Sequence, residues 1–171
     1  LLALGIAGTG TTTFLQGVVE RLRALGLRVA IISKTHCASS RAGGCTADYF
    51  VRRRILHGAC NVDVIWVGEI SQIDAGLWAQ LNKLTYTSAR WLLSGDFNQF
   101  PAIFSSFRGC PVADDAFQRS NLLHRLCGGN RVTLTECKRS DAELCQWYCS
   151  LIPGGSRFGT PLSDVRTQAR Q

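Results

Sequence analysis

Gly5-Ile6-Ala7-Gly8-Thr9-Gly10-Thr11-Thr12 is the stretch whose reading decides the fold. An apolar run, Leu1 to Leu4, precedes it, and an amphipathic run, Thr12 to Leu25, follows it. A glycine-rich turn between a strand and a helix lets backbone N–H groups wrap a phosphate at the positive end of the helix dipole. The stretch follows the pattern G-x-x-x-x-G-K-[ST] except at one position, and Thr12 takes the place whose hydroxyl binds Mg²⁺. Gly5, Gly8, Thr9, Gly10, Thr11, Thr12 and Thr13 are therefore the expected phosphate contacts. The competing reading is a glycine-rich turn with no ligand, and the spacing, the flanks and Thr12 weigh against it.

Along the rest of the chain, short apolar runs alternate with amphipathic stretches, as when parallel strands are joined by crossover helices. Strands are expected at Leu1 to Leu4, Val29 to Ser33, Val62 to Val67, Arg90 to Ser94 and Arg131 to Thr135. The spacing of Phe14, Leu15, Val18, Val19, Leu22 and Leu25 predicts one apolar helix face, with Gly26 as the stop. Ala47 to Leu56 should bury Phe50, Val51 and Ile55, and Ile73, Leu77, Leu81 and Leu84 form a third helical stripe. Ser140 with Glu143 reads as a capping box for a helix through Leu144, Trp147, Tyr148 and Leu151, stopped by Pro153, Gly154 and Gly155. The expected class is α/β, with a mainly parallel central sheet of about five strands in one domain over residues 1–155. Residues 156–171 read as a polar tail or the start of a linker.

The phosphate loop lacks its charge, because the pattern demands Lys where this chain has Thr11. A unit charge about 4 Å from a phosphate oxygen is worth roughly 4 kcal/mol at an effective dielectric of about 20. Since about 1.4 kcal/mol is a factor of ten in rate, hydrolysis is expected to be severely slowed. Nucleotide binding can survive weakly on the backbone amides, Thr12 and Mg²⁺. The second chemical stretch is Val64-Ile65-Trp66-Val67-Gly68-Glu69-Ile70-Ser71, an apolar strand ending where an Asp-Glu pair would hold the metal and activate water. Gly68 removes the metal-side carboxylate and leaves Glu69 as the candidate general base.

Leu93-Ser94-Gly95-Asp96-Phe97-Asn98-Gln99-Phe100-Pro101 resembles the G-D-x-x-Q-x-P motif of superfamily-one DNA helicases, in their Pif-like and RecD-like branch. Thr135-Glu136-Cys137-Lys138-Arg139-Ser140-Asp141 resembles the arginine-bearing motif that follows in the same family. The resemblance implies the first RecA-like motor domain, a P-loop NTPase with a three-layer sandwich that uses ATP and Mg²⁺. It also implies that Glu69 is catalytic, that Gln99 senses the γ-phosphate and that Arg139 contacts this phosphate as a cis arginine.

Ser33-Lys34-Thr35-His36-Cys37-Ala38 and Cys45-Thr46-Ala47-Asp48-Tyr49-Phe50 resemble the segments with which these helicases grip single-stranded DNA. By that resemblance Thr35 and Thr46 bond phosphates, and His36 and Phe100 stack on bases. Phe50 is assigned to the core instead, by its helical spacing. Asp48 stands where the family has histidine, and Ala102 where a second proline often follows Pro101. The family's second RecA-like domain, which completes the ATP site, is absent from this chain.

Lys and Arg number 19 against 12 Asp and Glu, a net charge of +7 that favours a polyanionic partner. Arg52, Arg53 and Arg54, with Arg41 and His57 nearby, form the densest positive patch and the expected contact with a phosphate backbone. Eight cysteines without C-x-x-C or zinc spacing read as reduced thiols in an intracellular, reducing compartment. The opening apolar run is too short to span a membrane, and no membrane partner is expected. A chain without Met that starts inside a strand reads as a fragment of a longer reading frame.

Two functions stay open. One is a helicase motor domain whose ATP hydrolysis, coupled in the family to DNA unwinding, is impaired here by gene decay or repurposing. The other is a non-catalytic nucleotide or single-strand binding module. The two lost groups had opposite charge, so their joint loss leaves the net charge of the site unchanged. A small-molecule kinase would give Gln99 and Arg139 no place.

Overall fold

Within each apolar run, successive side chains turn to opposite faces, and in the central strands both faces are buried. The structure, a computed structural model, describes residues 1–58, 60–161, 164 and 165. The elements are β1 (Leu2–Gly5), α1 (Thr11–Ala24), β2 (Val29–Ser33), α2 (His36–Arg41), β3 (Cys45–Thr46), α3 (Ala47–Phe50) and β4 (Val64–Gly68). They continue with α4 (Ala75–Leu81), β5 (Arg90–Gly95), β6 (Ser106–Phe107), β7 (Cys110–Pro111), α5 (Asn121–Cys127), β8 (Arg131–Leu134) and α6 (Ala142–Leu151). Six strands pair in the order β3-β2-β4-β5-β1-β8, and every pair is parallel. Ala3, Ile31, Val64, Trp66 and Leu92 pack with Leu15 and Val19 of α1 on one face. Leu2, Ile32, Ile65, Val67 and Leu93 pack on the other with residues of α3, α4 and α5, including Phe50, Trp78 and Leu123. This is the expected three-layer α/β architecture, and each fully buried Leu or Ile contributes roughly 1.5–3 kcal/mol to it.

The sheet has six strands rather than about five. The addition, β3, is two residues long, too short to show any periodicity. Helix α1 ends as expected, with Gly26 at φ 80° and Leu27 N donating to Leu22 O at 3.1 Å, which satisfies a carbonyl of the last turn. Its buried face is narrower than expected: Phe14 is 39% and Leu25 70% exposed. At about 100° per residue, a stripe centred on Leu15, Val18, Val19 and Leu22 leaves Phe14 and Leu25 at its margin.

The third stripe is buried at all four positions, but as three short pieces. A 3₁₀ turn spans Ile70–Gln72, α4 starts where Asp74 Oδ1 accepts from Leu77 N at 2.9 Å, and a second 3₁₀ turn spans Asn82–Tyr86. The Ala47 to Leu56 stretch is α3 followed by a π-helical turn over Val51–Ile55. At α6 the cap is Asp141, which accepts from Leu144 N at 2.7 Å, and not Ser140. The Ser140 hydroxyl is engaged elsewhere, 3.1 Å from both Cys137 Sγ and Tyr148 Oη. Helix α5, capped by Ser120, and the β6–β7 hairpin had no counterpart in the sequence reading. In the expected tail, residues 162–163 and 166–171 lie outside the described residues.

Candidate nucleotide-binding site

Six parallel strands bring six connections to one edge of the sheet, where ligands of such folds bind. The loop after β1 turns into α1 through Gly8 at φ 93° and Gly10 at φ 82°. Gly10 caps α1 without a side-chain bond, and the first bond into the helix runs from Phe14 N to Gly10 O at 2.9 Å. The amides of Thr11, Thr12 and Thr13 precede that bond and point out of the helix end, as an anion requires. Thr9 is buried, and its hydroxyl donates to Ile6 O at 2.9 Å, which closes the turn. Thr13 is exposed, while Thr11 and Thr12 are half-buried.

The connection from β8 to α6 braces this loop from behind. Lys138 N donates to Gly8 O at 2.9 Å, and Tyr148 Oη lies 3.3 Å from Ala7 O. A Cβ on Gly8 would lie 2.8 Å from Cys137 Sγ and 3.0 Å from Arg139 Cβ, so only glycine allows this approach. Cys137 Sγ sits 3.1 Å from the hydroxyls of Ser140 and Tyr148. Hydrogen bonds from Ser140 and Tyr148, joined by the Ser140 and Arg139 amides, lower its thiol to about 6. The neighbouring sulfur in turn pushes the Tyr148 phenol up to about 12. No pattern in the sequence marks Cys137 and Tyr148, because their contacts to Ala7 span 130 and 141 residues.

Glu69 follows β4, Gln99 follows β5 and Arg139 follows β8, so all three reach the edge that carries the loop after β1. Thr11, Thr12, Ser33, Gly68, Glu69 and Ser94 line one cleft there. Glu69 is half-buried and its backbone stands at φ 52°, the strained left-handed region for a residue with a side chain. Burial raises its carboxyl above the ordinary range, repulsion from Asp96 adds to this, and the Arg139 guanidinium opposes it. Gly95 permits the approach: a Cβ there would meet Ile70 Cγ1 at 2.8 Å and Ile70 N at 2.9 Å. Asp96 is buried and accepts from Asn98 N at 2.9 Å and Asn98 Nδ2 at 3.1 Å, which shapes the turn to Gln99. Gln99 is half-buried on that turn, and Arg139 is exposed.

Lys34 does not stand in for the missing loop lysine. Its ammonium is held 2.9 Å from Asp74 and 3.3 Å from Asp48. The loop amides would hold a phosphate, and Thr12, which lines one cleft with Glu69, would hold Mg²⁺. Among the described residues no three His, Cys, Asp or Glu form a metal-binding group. A magnesium ion here would therefore depend on phosphate oxygens and water for most of its ligands.

The segments after β2 and β3 lie at the same edge. Thr35 Oγ1 accepts from Ala38 N at 3.2 Å and caps α2, and Thr46 Oγ1 accepts from Tyr49 N at 3.3 Å and caps α3. His36 is exposed, with Nδ1 3.2 Å from Ser40 Oγ. Phe100 is 88% exposed, whereas Phe50 is buried as its spacing required. Arg52, Arg53 and Arg54 are exposed on the π-helical turn.

The profile of the AAA domain family matches residues 1–106. ATP-dependent DNA helicase PIF3 of Trypanosoma brucei brucei is 31% identical over 134 residues, covering 67% of this chain and 16% of that helicase. The crystal structure of Pif1 helicase from Candida albicans superimposes with a TM-score of 0.67 at 20% identity, over 88% of this chain and 39% of that one. Bacteroides Pif1 bound to single-stranded DNA gives 0.64 at 19% identity, over 88% and 41%. At such identities these two structures establish the common fold, and this chain spans under half of each. The chain belongs to the AAA domain family, and over part of their length it is similar to Pif1-type helicases.

Proposed function

We propose that this chain is the ATP-binding lobe of a DNA helicase in which Thr11 and Gly68 have crippled hydrolysis. The observation that carries the reading is that Thr11, Thr12, Gly68 and Glu69 line a single cleft, so both missing charges bear on one triphosphate tail. The loop amides and Thr12 would hold ATP, and Mg²⁺ beside Thr12 and Glu69 would neutralise phosphate oxygens. Glu69, its carboxyl raised by burial and Asp96, is suited to take a proton from the attacking water. Gln99 and Arg139 would meet the terminal phosphate from the neighbouring strands β5 and β8. Unwinding would need a second lobe to complete the site and move the strand.

Single-stranded DNA would cross the ends of β2 and β3. A threonine hydroxyl that accepts a capping bond still has its O–H to donate, so Thr35 and Thr46 can cap their helices and bond phosphates together. His36 and Phe100, both exposed, would supply the stacking surfaces. Eight free thiols support a reducing compartment.

The second reading is a binding module without turnover. It is favoured by the ease with which the cleft accommodates Gly68, where a Cβ would meet its neighbours only at 3.8–3.9 Å. Separate titrations of a fluorescent ATP analogue and of labelled single-stranded DNA, with phosphate release followed in parallel, test both readings. Binding with slow, DNA-stimulated release supports the impaired motor, and binding with no release supports the module. No binding to either ligand overturns both.

A further inference from the structure

Three thiols and one phenol cluster behind the phosphate loop. Cys137 stands on the irregular turn between β8 and α6, with Sγ 3.1 Å from the hydroxyls of Ser140 and Tyr148. The Tyr148 hydroxyl also shares a hydrogen bond with Cys145, and Cys145 shares one with Cys149. Tyr148, Cys145 and Cys149 all belong to α6, so one phenol links a sulfur on the turn to sulfurs fixed on a helix. All three cysteines are free and half-buried. Neither the phosphate chemistry nor the DNA path uses them.

Their reactivities differ. The Ser140 and Tyr148 hydrogen bonds that lower Cys137 to about 6 leave it mostly thiolate at neutral pH, the form that attacks an electrophile. Burial and the bond to Cys145 push Cys149 up, and burial does the same to Cys45 and Cys60. Cys137 also stands against the loop itself. Its sulfur occupies the place where a Cβ on Gly8 would collide, and the next amide, Lys138 N, donates to Gly8 O at 2.9 Å.

We propose that Cys137 is a peroxide-sensitive thiol, that Cys145 resolves it into a disulfide, and that this bond loosens the phosphate loop. The Cys137 thiolate attacks one oxygen of hydrogen peroxide; the O–O bond breaks, Cys137 becomes a sulfenic acid and hydroxide leaves. The Cys145 sulfur then attacks the Cys137 sulfur; the S–S bond forms as the S–O bond breaks, and the departing hydroxide takes the Cys145 proton as water. The two thiols supply the two electrons that reduce the peroxide. Because Cys145 is fixed on α6, the new bond draws Cys137 away from Ala7 and Gly8 and weakens the brace behind the loop.

The test treats the reduced 171-residue chain with hydrogen peroxide at neutral pH, blocks free thiols with N-ethylmaleimide and maps tryptic peptides by mass spectrometry without reduction. Trypsin cuts after Lys138 and Arg139, so the disulfide joins peptide 132–138 to peptide 140–157, and reduction separates them. Cys145→Ser should abolish the joined species and let the Cys137 sulfenic acid accumulate, trapped by dimedone. Hydrogen–deuterium exchange of residues 5–13 should quicken in the oxidised chain and return with dithiothreitol. None of these readouts needs a nucleotide, so they decide the proposal whether or not ATP binds. Oxidation that begins at another cysteine, a joined species that survives Cys145→Ser, or loop exchange unchanged by oxidation would each overturn it. The first and last are read on the unaltered chain, so a variant that does not fold leaves the test standing.

Discussion

The two edges of the parallel sheet are built on opposite plans. At the edge where the strands begin, Arg28 grips Asp63 three times: N and Nε reach Oδ2 at 2.8 and 3.0 Å, and one terminal nitrogen reaches Oδ1 at 2.9 Å. The Leu1 nitrogen donates to Trp91 O at 2.9 Å at the same edge. Where the strands end, Glu69, Asp96 and Arg139 take part in no ion pair among the described residues, and Glu69 and Gly8 stand at φ 52° and 93°. Arg28 and Asp63 satisfy each other at the first edge. At the second, Lys34 is paired with Asp74 and Asp48, but Glu69, Asp96 and Arg139 stay outside any such pair and Glu69 carries a strained backbone, the state expected where a charged ligand completes the site.

The sharpest test of that difference restores the missing ligand contacts. In a version of the chain joined to a second motor lobe, Thr11→Lys with Gly68→Asp should raise DNA-stimulated phosphate release about 10²- to 10³-fold. Failure to recover any release would remove the nucleotide site from the strand-end edge.

Next in size is the loop itself. Gly8→Val should destabilise the chain by about 3 kcal/mol in urea melts and abolish ATP binding, through its positive φ and the collision with Cys137 and Arg139. Gly58→Ala, at φ 64° with nothing within 4 Å, should cost only about 1 kcal/mol. Equal costs would mean that the brace behind the loop is unimportant.

Cys137 reports on the same brace. Its alkylation by iodoacetamide, followed by peptide mapping, should rise with a midpoint at about pH 6 and slow phosphate-loop binding of ATP. A midpoint in the ordinary thiol range would show that Ser140 and Tyr148 do not hold it.

The smallest effects should have opposite signs at the two edges. Asp63 is held at about 2, below the ordinary 3.8, by hydrogen bonds from Arg28. Its contribution is complete above pH 3.8 and is lost as the pH falls toward 2, so Asp63→Asn should flatten the urea midpoint over that window. Glu69 is raised, so the folded state binds its proton more tightly than the unfolded chain and stability falls as the group ionises. Glu69→Gln should therefore stabilise the chain by about 0.5 kcal/mol at neutral pH, a gain that vanishes in acid below the unfolded pKa. A destabilising Glu69→Gln would erase the contrast between the edges.

Much of this was legible in the residues. The apolar runs of β1, β2, β4 and β5 are continuous because both faces of a parallel sheet are buried, so each was readable without coordinates, whereas β8, at the sheet edge, alternates exposed Arg131 and Thr133 with half-buried Val132 and Leu134. Phe50 and the Ile73, Leu77, Leu81, Leu84 stripe went to the core as their spacing required. Local competition hid the rest. Asp141 displaced Ser140 as a helix cap because the serine hydroxyl is taken up by Cys137, three residues back, and by Tyr148 on α6 itself. The two-residue β3 has no period, and the β6–β7 hairpin is too short to declare itself.

The sequence by itself determined that a strand, a glycine turn and a helix would form at the start of the chain, since hydrophobic period and glycine spacing are local properties. It also determined which two charges are missing from the pattern, at Thr11 and Gly68. Only the tertiary structure decided that Thr11 and Gly68 line one cleft, that Asp96 faces Glu69, and that Cys137 and Tyr148 stand behind Ala7. Those encounters join residues far apart in the chain. The order of strands in the sheet brings them together, and that order is set by long-range packing rather than by any local run of residues.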